Sequence, residues 1–284
     1  MPSAATRLRE LLAEPGIVVA PGAVDALAAK LIEAAGFPAA YCTGGGISRS
    51  LGLPDVGYVT LTEMAGRVRN IAETCSLPLI ADVDAGFGNV LTLMRAVRTF
   101  EAAGAAAIHV EDKEVPRRAR DARANLVTAE EMAGRIRAAL RARRTAEFVI
   151  IARTDALPVL GIGEAIDRAN RYADAGADVI YVEYLKTRAE MEAVARRVAA
   201  PKLISLNKGE GELLPADALA AMGFKILTLP ADLQLAAIHA MRALLAHLQA
   251  AGTTAGFDAM ATFAERDELI GLAAARALEA EFIP

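Results

Sequence analysis

Two carboxylates at the end of an apolar run are the first residues in this sequence whose types and spacing imply chemistry. Leu77 to Ala81 reads as a buried strand, and it runs directly into Asp82-Val83-Asp84-Ala85-Gly86-Phe87-Gly88-Asn89. Asp82 and Asp84 are two residues apart, so on an extended backbone both side chains point the same way. Converging anions at a strand end are costly unless a cation sits between them. Hard oxygen donors with room for water suit Mg2+ better than zinc, with Mn2+ as the substitute. Other apolar runs end in the same manner. One delivers Tyr41-Cys42-Thr43-Gly44-Gly45-Gly46, whose hydroxyl and Gly-rich turn can hold a carboxylate on N–H groups. Further runs deliver His109-Val110-Glu111-Asp112, Arg153-Thr154-Asp155, Glu183 and Asn207. Either these ends form a structural ring of ion pairs, or they surround Mg2+ and a small, anionic, oxygen-rich substrate.

The elements that would position these residues alternate along the chain. Strands are expected at Ile17–Ala20, Ala39–Cys42, Leu77–Asp82, Ala106–Glu111, Phe148–Arg153, Val179–Glu183, Lys202–Leu206 and Ile226–Leu229. Helical periodicity falls between them, near Ala23–Ala35, Leu61–Thr74, Leu91–Ala103, Thr128–Leu140, Gly163–Ala175, Arg188–Ala199 and Ala216–Met222. A short amphipathic helix, Thr6–Glu14, precedes the first strand, and Leu233–Ala250 follows the eighth. Gly36, Gly104 and Gly176 each close a helix just before a strand, as short αβ connections require. Repeated strand–helix pairs of this kind imply an α/β fold with a parallel sheet. Eight pairs predict a TIM (β/α)8 barrel, in which polar residues at the carboxyl ends of the strands line the active site. No linker divides the chain, so one barrel domain over 1–284 is expected, with a helical tail from about 251.

Composition agrees with that reading. The 284 residues are 54% hydrophobic, enough for one large core. A formal net charge of −4 offers no general attraction to nucleic acid or to an anionic membrane. There is no apolar segment of membrane-spanning length and no signal-peptide core near Met1, and Cys42 and Cys75 form no zinc motif. The expectation is a soluble cytoplasmic protein acting on a small molecule.

Taken together, five stretches resemble the isocitrate lyase/phosphoenolpyruvate mutase superfamily along nearly the whole chain. They are Tyr41–Gly46, Leu51–Gly57, Asp82–Asn89, Ile108–Asp112 and Ala152–Ala156. Gly252-Thr253-Thr254 and Met260-Ala261-Thr262-Phe263 are similar to the 2-methylisocitrate and alkylmalate lyase branch. The resemblance implies that Asp82, Asp84 and Glu111 serve the metal, Glu111 through metal-bound water. It implies that Thr43, Gly44 and Gly45 cradle the substrate carboxylate and that Asp55 faces the substrate. Arg153 would bind substrate oxygens, with Glu183 and Asn207 as further contacts, and Tyr41 would take the proton of the substrate's 2-hydroxyl. It also implies a swapped last helix and a homotetramer.

The polar segment Lys113–Asn125 occupies the place of the family's gating loop. Where the lyases carry a Cys that protonates the carbanion, this chain has Arg117-Arg118-Ala119-Arg120-Asp121. Ala119 cannot deliver a proton, and the decarboxylases of the superfamily resemble it in lacking that Cys. The arginine density suits a clamp on a second substrate carboxylate, with Arg117 its leading member. The expected function is therefore a Mg2+-dependent carbon–carbon lyase or decarboxylase. It would act on a small 2-oxo or 2-hydroxy dicarboxylate through an enolate and release pyruvate or a related 2-oxoacid. The alternatives are phosphonopyruvate-type mutase or hydrolase chemistry, which Glu111-Asp112-Lys113 and Pro116 resemble, and a non-catalytic oxyacid-binding barrel.

Overall fold

The computed structural model describes residues 2–116 and 125–283. Eight strands, β1 (Val18–Ala23), β2 (Ala40–Cys42), β3 (Leu79–Asp82), β4 (Ala107–Glu111), β5 (Val149–Thr154), β6 (Val179–Val182), β7 (Lys202–Ser205) and β8 (Phe224–Leu229), pair in sequence order. All neighbours are parallel, and β8 returns to β1 through Val18↔Ile226 and Pro21↔Leu229, closing the barrel expected from the alternating pattern.

Before the first strand lies α1 (Ala4–Ala13). Around the barrel follow α2 (Ala26–Ala34), α3 (Gly44–Ser50), α4 (Leu61–Ala72), α5 (Val90–Ala102), α6 (Ala129–Ala142), α7 (Leu157–Asp174), α8 (Arg188–Arg197) and α9 (Ala216–Met222). The chain ends in α10 (Asp232–Ala251), α11 (Phe263–Leu269) and α12 (Leu272–Phe282).

Two layers of apolar side chains hold the fold. Inward-facing residues such as Ile80, Val149, Ile151 and Ile226 fill the barrel, and Leu8 of α1 plugs its amino end. The opposite faces of the strands pack against the helices, as in α5, where Leu93, Ala96, Val97 and Phe100 fall at helical spacing and are all buried. Among the described residues no helix is long and apolar enough to cross a membrane.

Two helices depart furthest from the sequence reading. Gly44-Gly45-Gly46, expected as an open turn, forms the first turn of α3, capped by Thr43, whose hydroxyl accepts from the Gly46 amide at 3.2 Å. The glycines serve close approach there: a side chain at Gly44 would stand 2.7 Å from the Asp82 carboxylate. α7 begins at Leu157, six residues before its expected start, because a kink at Gly161 (φ 80°) joins two helical pieces. The tail is helical as expected, yet α10, α11 and α12 bury no residue.

Candidate active site

Asp82 closes β3 with its side chain accepting from the Asp84 amide at 2.9 Å and the Gly44 amide at 3.3 Å. Asp84 holds a positive φ of 47°, in the left-handed region that side chains rarely adopt. Its carbonyl accepts from the Glu111 amide at 3.0 Å, which ties the end of β3 to the end of β4. Asp82, Asp84 and Glu111 all line one cavity of about 460 Å3 at the carboxyl end of the barrel. Tyr41, Thr43, Gly45, Asp55, Arg153, Glu183 and Asn207 line the same space. Gly44 reaches it through its N–H on Asp82, while Arg117 lies outside the described residues.

Arg153 organises the far wall. Its guanidinium forks onto Asp155 at 2.6 and 3.1 Å, stands 3.6 Å from both Glu111 and Glu183, and lies over the Tyr181 ring. Lys113 shares Oδ2 of Asp155 with that fork, at 2.5 Å. Burial alone would raise the Asp155 carboxyl, but Arg153 and Lys113 hold it far below the usual range. Burial pushes Glu183 upward, with Arg153 opposing. The site is thus a chain of alternating charge, Glu183–Arg153–Asp155–Lys113, next to the acids of β3 and β4.

On the opposite side the Tyr41 hydroxyl sits 2.6 Å from Nε2 of His109, and the two rings stack. Burial, reinforced by Asp82, pushes the Tyr41 hydroxyl well above its usual pKa. Burial lowers His109 to about 4, so its imidazole is neutral at pH 7. Asn207 lies beyond the end of β7, its amide donating to Glu210 at 2.9 Å.

Lys113, Asp155, Tyr181, Tyr184 and Ser205 were not singled out as site residues in the sequence. Asp155 carried a usable signal, since it follows Arg153 by two residues on a strand end. Lys113 carried one too, as the last residue of Glu111-Asp112-Lys113, whereas Tyr181, Tyr184 and Ser205 follow no residue pattern. Below the site, Asp112 accepts from Thr154, Tyr172 and Arg168 and from the Asp155 amide, and Arg168 also donates to the Val127 carbonyl at 2.9 Å. With the Lys113↔Leu126 bridge, this buried hub fixes both described stems of the 113–125 loop.

Among the described residues no three His, Cys, Asp or Glu side chains stand close enough to cage a metal unaided. The donor set at Asp82, Asp84 and Glu111 is nevertheless carboxylate oxygen throughout. That fits Mg2+, which takes one or two carboxylates, keeps several waters and leaves positions for substrate oxygens.

A family model described as phosphoenolpyruvate phosphomutase matches residues 8–249. The chain belongs to the phosphoenolpyruvate mutase family. It is 42% identical to 2,3-dimethylmalate lyase of Eubacterium barkeri, over 97% of this chain and 96% of that one. It is 38% identical to oxaloacetate decarboxylase of Rhodopseudomonas palustris, over 77% and 76%. A solved phosphonopyruvate hydrolase complexed with oxalate and Mg2+ superposes with a TM-score of 0.92 at 34% identity, covering 100% of both chains. The barrel and the family agree with the resemblance read from the sequence, and the chain is an enzyme, a carbon–carbon lyase of this superfamily.

Proposed function

We propose that in the presence of Mg2+ this enzyme breaks C2–C3 of a small 2-hydroxy dicarboxylate, or C3–C4 of a 2-oxo dicarboxylate with loss of CO2, releasing pyruvate or a related 2-oxoacid in either case. One observation carries the reading: Asp82, Asp84 and Glu111 line the same cavity as Arg153 and Tyr41. Asp82, Asp84 and Glu111 would hold the metal, which when bound supplies positive charge to the oxygens of a developing enolate. Arg153, locked by Asp155, presents its remaining N–H groups to a substrate carboxylate. Tyr41, its hydroxyl 2.6 Å from His109 Nε2, is placed to hydrogen-bond the substrate's 2-oxygen and to take part in moving its proton. Arg117 adds a clamp on the second carboxylate, and the enolate, with Ala119 in place of a loop acid, is protonated from solvent.

The substrate is a 2,3-dialkylmalate or oxaloacetate type of acid, in line with the relatives' names. A second reading, P–C bond chemistry on phosphonopyruvate, is favoured by Lys113 after Glu111-Asp112 and by the 34% identity to a phosphonopyruvate hydrolase. Coupled detection of pyruvate from 2,3-dimethylmalate, 2-methylisocitrate, oxaloacetate and phosphonopyruvate, with and without EDTA, separates the two. Release from phosphonopyruvate alone, or undiminished turnover in excess EDTA, overturns the lyase reading or its metal.

The proposal extends to assembly and compartment. Helices α10–α12 leave Met241, Leu245, Phe263 and Phe282 more than half exposed, a surface suited to burial by exchange with a second subunit in a homotetramer. A monomeric mass by light scattering at micromolar concentration would sink that part. Two free cysteines, with Cys42 buried and its thiol pushed up by burial, suit the reducing cytoplasm.

A further inference from the structure

The cavity described above is not the only one at the carboxyl end of the barrel. A second chamber of about 250 Å3 lies between the connections that follow β6 and β7. Five residues wall both spaces: Glu183, Tyr184, Ser205, Asn207 and Glu210. Four of them make poor partitions. Glu183 is drawn toward Arg153 at 3.6 Å, Asn207 and Glu210 are tied to each other at 2.9 Å, and Ser205 is small. Tyr184 is the one bulky ring of the set.

Its backbone marks it further. Tyr184 has φ of 67°, a costly conformation for an aromatic residue that persists only where its surroundings impose it. On one side is β6; on the other, Leu185 is buried and Thr187 starts α8 with a capping box. These anchors fix the half-buried Tyr184 where the two cavities share a wall, within electrostatic range of Asp155, Lys113, Arg153 and Glu183. The chamber behind it has apolar surface from Leu185, Leu206 and Leu213. Its charged lining is mainly acidic, Glu183, Glu210 and Glu212, with Lys186 the one cation among the described residues that line it.

We infer that Tyr184 is a specificity-determining residue: its ring shuts the main cavity off from this chamber and so sets the largest alkyl substituent that the substrate can carry. The inference rests on the dicarboxylate reading above and deepens it. Opening the partition would admit a longer alkyl chain, because the space behind is partly apolar. It would not admit an extra carboxylate, because three acids surround that space.

The test compares wild type with Tyr184→Ala, Tyr184→Gly and Tyr184→Phe, each first checked for a native melting temperature. Two readouts are taken with Mg2+ present: kcat/KM on malates bearing a methyl or a propyl group, and calorimetric Kd for methylmalonate, propylmalonate and a carboxyethyl-substituted malonate. Tyr184→Ala and Tyr184→Gly should raise the propyl-to-methyl ratio at least tenfold, the scale of burying two further methylenes. The carboxyethyl ligand should gain less than twofold, and Tyr184→Phe should keep the wild-type ratio. An unchanged propyl-to-methyl ratio in both folded truncations overturns the inference, as does an equal gain for the carboxyethyl ligand. If wild type binds the malonates but cleaves no malate, the lyase reading fails, while the binding ratios still decide the role of Tyr184.

Discussion

At the amino end of the barrel, Asp178 accepts from Arg9 and Arg143 at 2.8 and 2.9 Å and from the Ile150 amide at 2.9 Å. At the carboxyl end, Asp155 accepts from Arg153 at 2.6 and 3.1 Å and meets Lys113 at 2.5 Å. Each is an aspartate between two cations beside a strand. The first is a latch: it joins α1 to the α6–β5 turn and the start of β6, beneath a barrel whose inner cluster includes the fully buried Leu8. The second adjoins a cavity, because Glu111, Glu183, Asp82 and Asp84 stand around the same arginine with space among them. Residue type therefore does not distinguish structural from reactive charge in this molecule. What distinguishes them is whether the surplus charge is met by backbone and packing or left facing room for a ligand.

That contrast is open to breakage. The largest effect should come from Asp84→Ala. We expect at least a thousandfold loss of kcat/KM, the scale of the several kcal/mol a metal contributes to transition-state charge, with unfolding in urea shifted by less than about 1 kcal/mol. Retained turnover would move Asp84 to the latch class.

Leu8→Ala should do the reverse. Truncating a fully buried plug costs roughly 2–5 kcal/mol of stability, while kcat/KM measured well below the melting temperature stays at the wild-type value. A loss of activity in the folded variant would join the two ends energetically.

The third test is acid titration. Burial lowers the His109 pKa from 6.5 to about 4, so the unfolded chain binds a proton that the native state refuses. The stability contribution of this group is full above pH 6.5, falls as pH drops through the window from 6.5 to about 4, and is lost below it. The shift corresponds to the order of 3 kcal/mol. His109→Gln should flatten that part of the stability–pH curve, measured by urea unfolding at fixed ionic strength. An unchanged slope would mean that His109 is not the group responsible.

The smallest effect is expected for Asp178→Ala. Its arginines are partly exposed and can rehydrate, so about 1–2 kcal/mol should be lost, chiefly from the Ile150 amide left without its acceptor, with no change in KM. A rise in KM would show that the amino-end latch reaches the site.

The sequence was most legible where structure is local. Seven of the eight strands begin and end within two residues of the expected positions, because each is a short apolar run bounded by turn residues. The exception is β1, which continues through Pro21 and Gly22. These look like breakers, yet Pro21 pairs with Leu229 and Gly22 with Tyr41, and a side chain at Gly22 would collide with the Pro230 carbonyl. α3 departs from the sequence pattern for a related reason: three glycines argue against a helix, but Asp82 occupies the space of a side chain at Gly44, Arg49 and Asp55 that at Gly45, and Thr43 and Val24 that at Gly46. Of the candidate site residues, those at strand ends could be named because the carboxyl ends of all eight parallel strands open on one face.

Taken alone, the sequence determined the barrel, its order of elements and the polar groups that its strands deliver, since period and turn chemistry are properties of neighbouring residues. Closure of the sheet decided the rest. It brought Tyr41 within 2.6 Å of His109, 68 residues away, and it set Arg153 between Glu111 and Glu183. It also decided that Asp155 borders a cavity while Asp178 does not, and that the strained Tyr184 stands between two chambers. Such distances come from how a twisted sheet meets itself and from the packing around it. No pattern of adjacent residues encodes them.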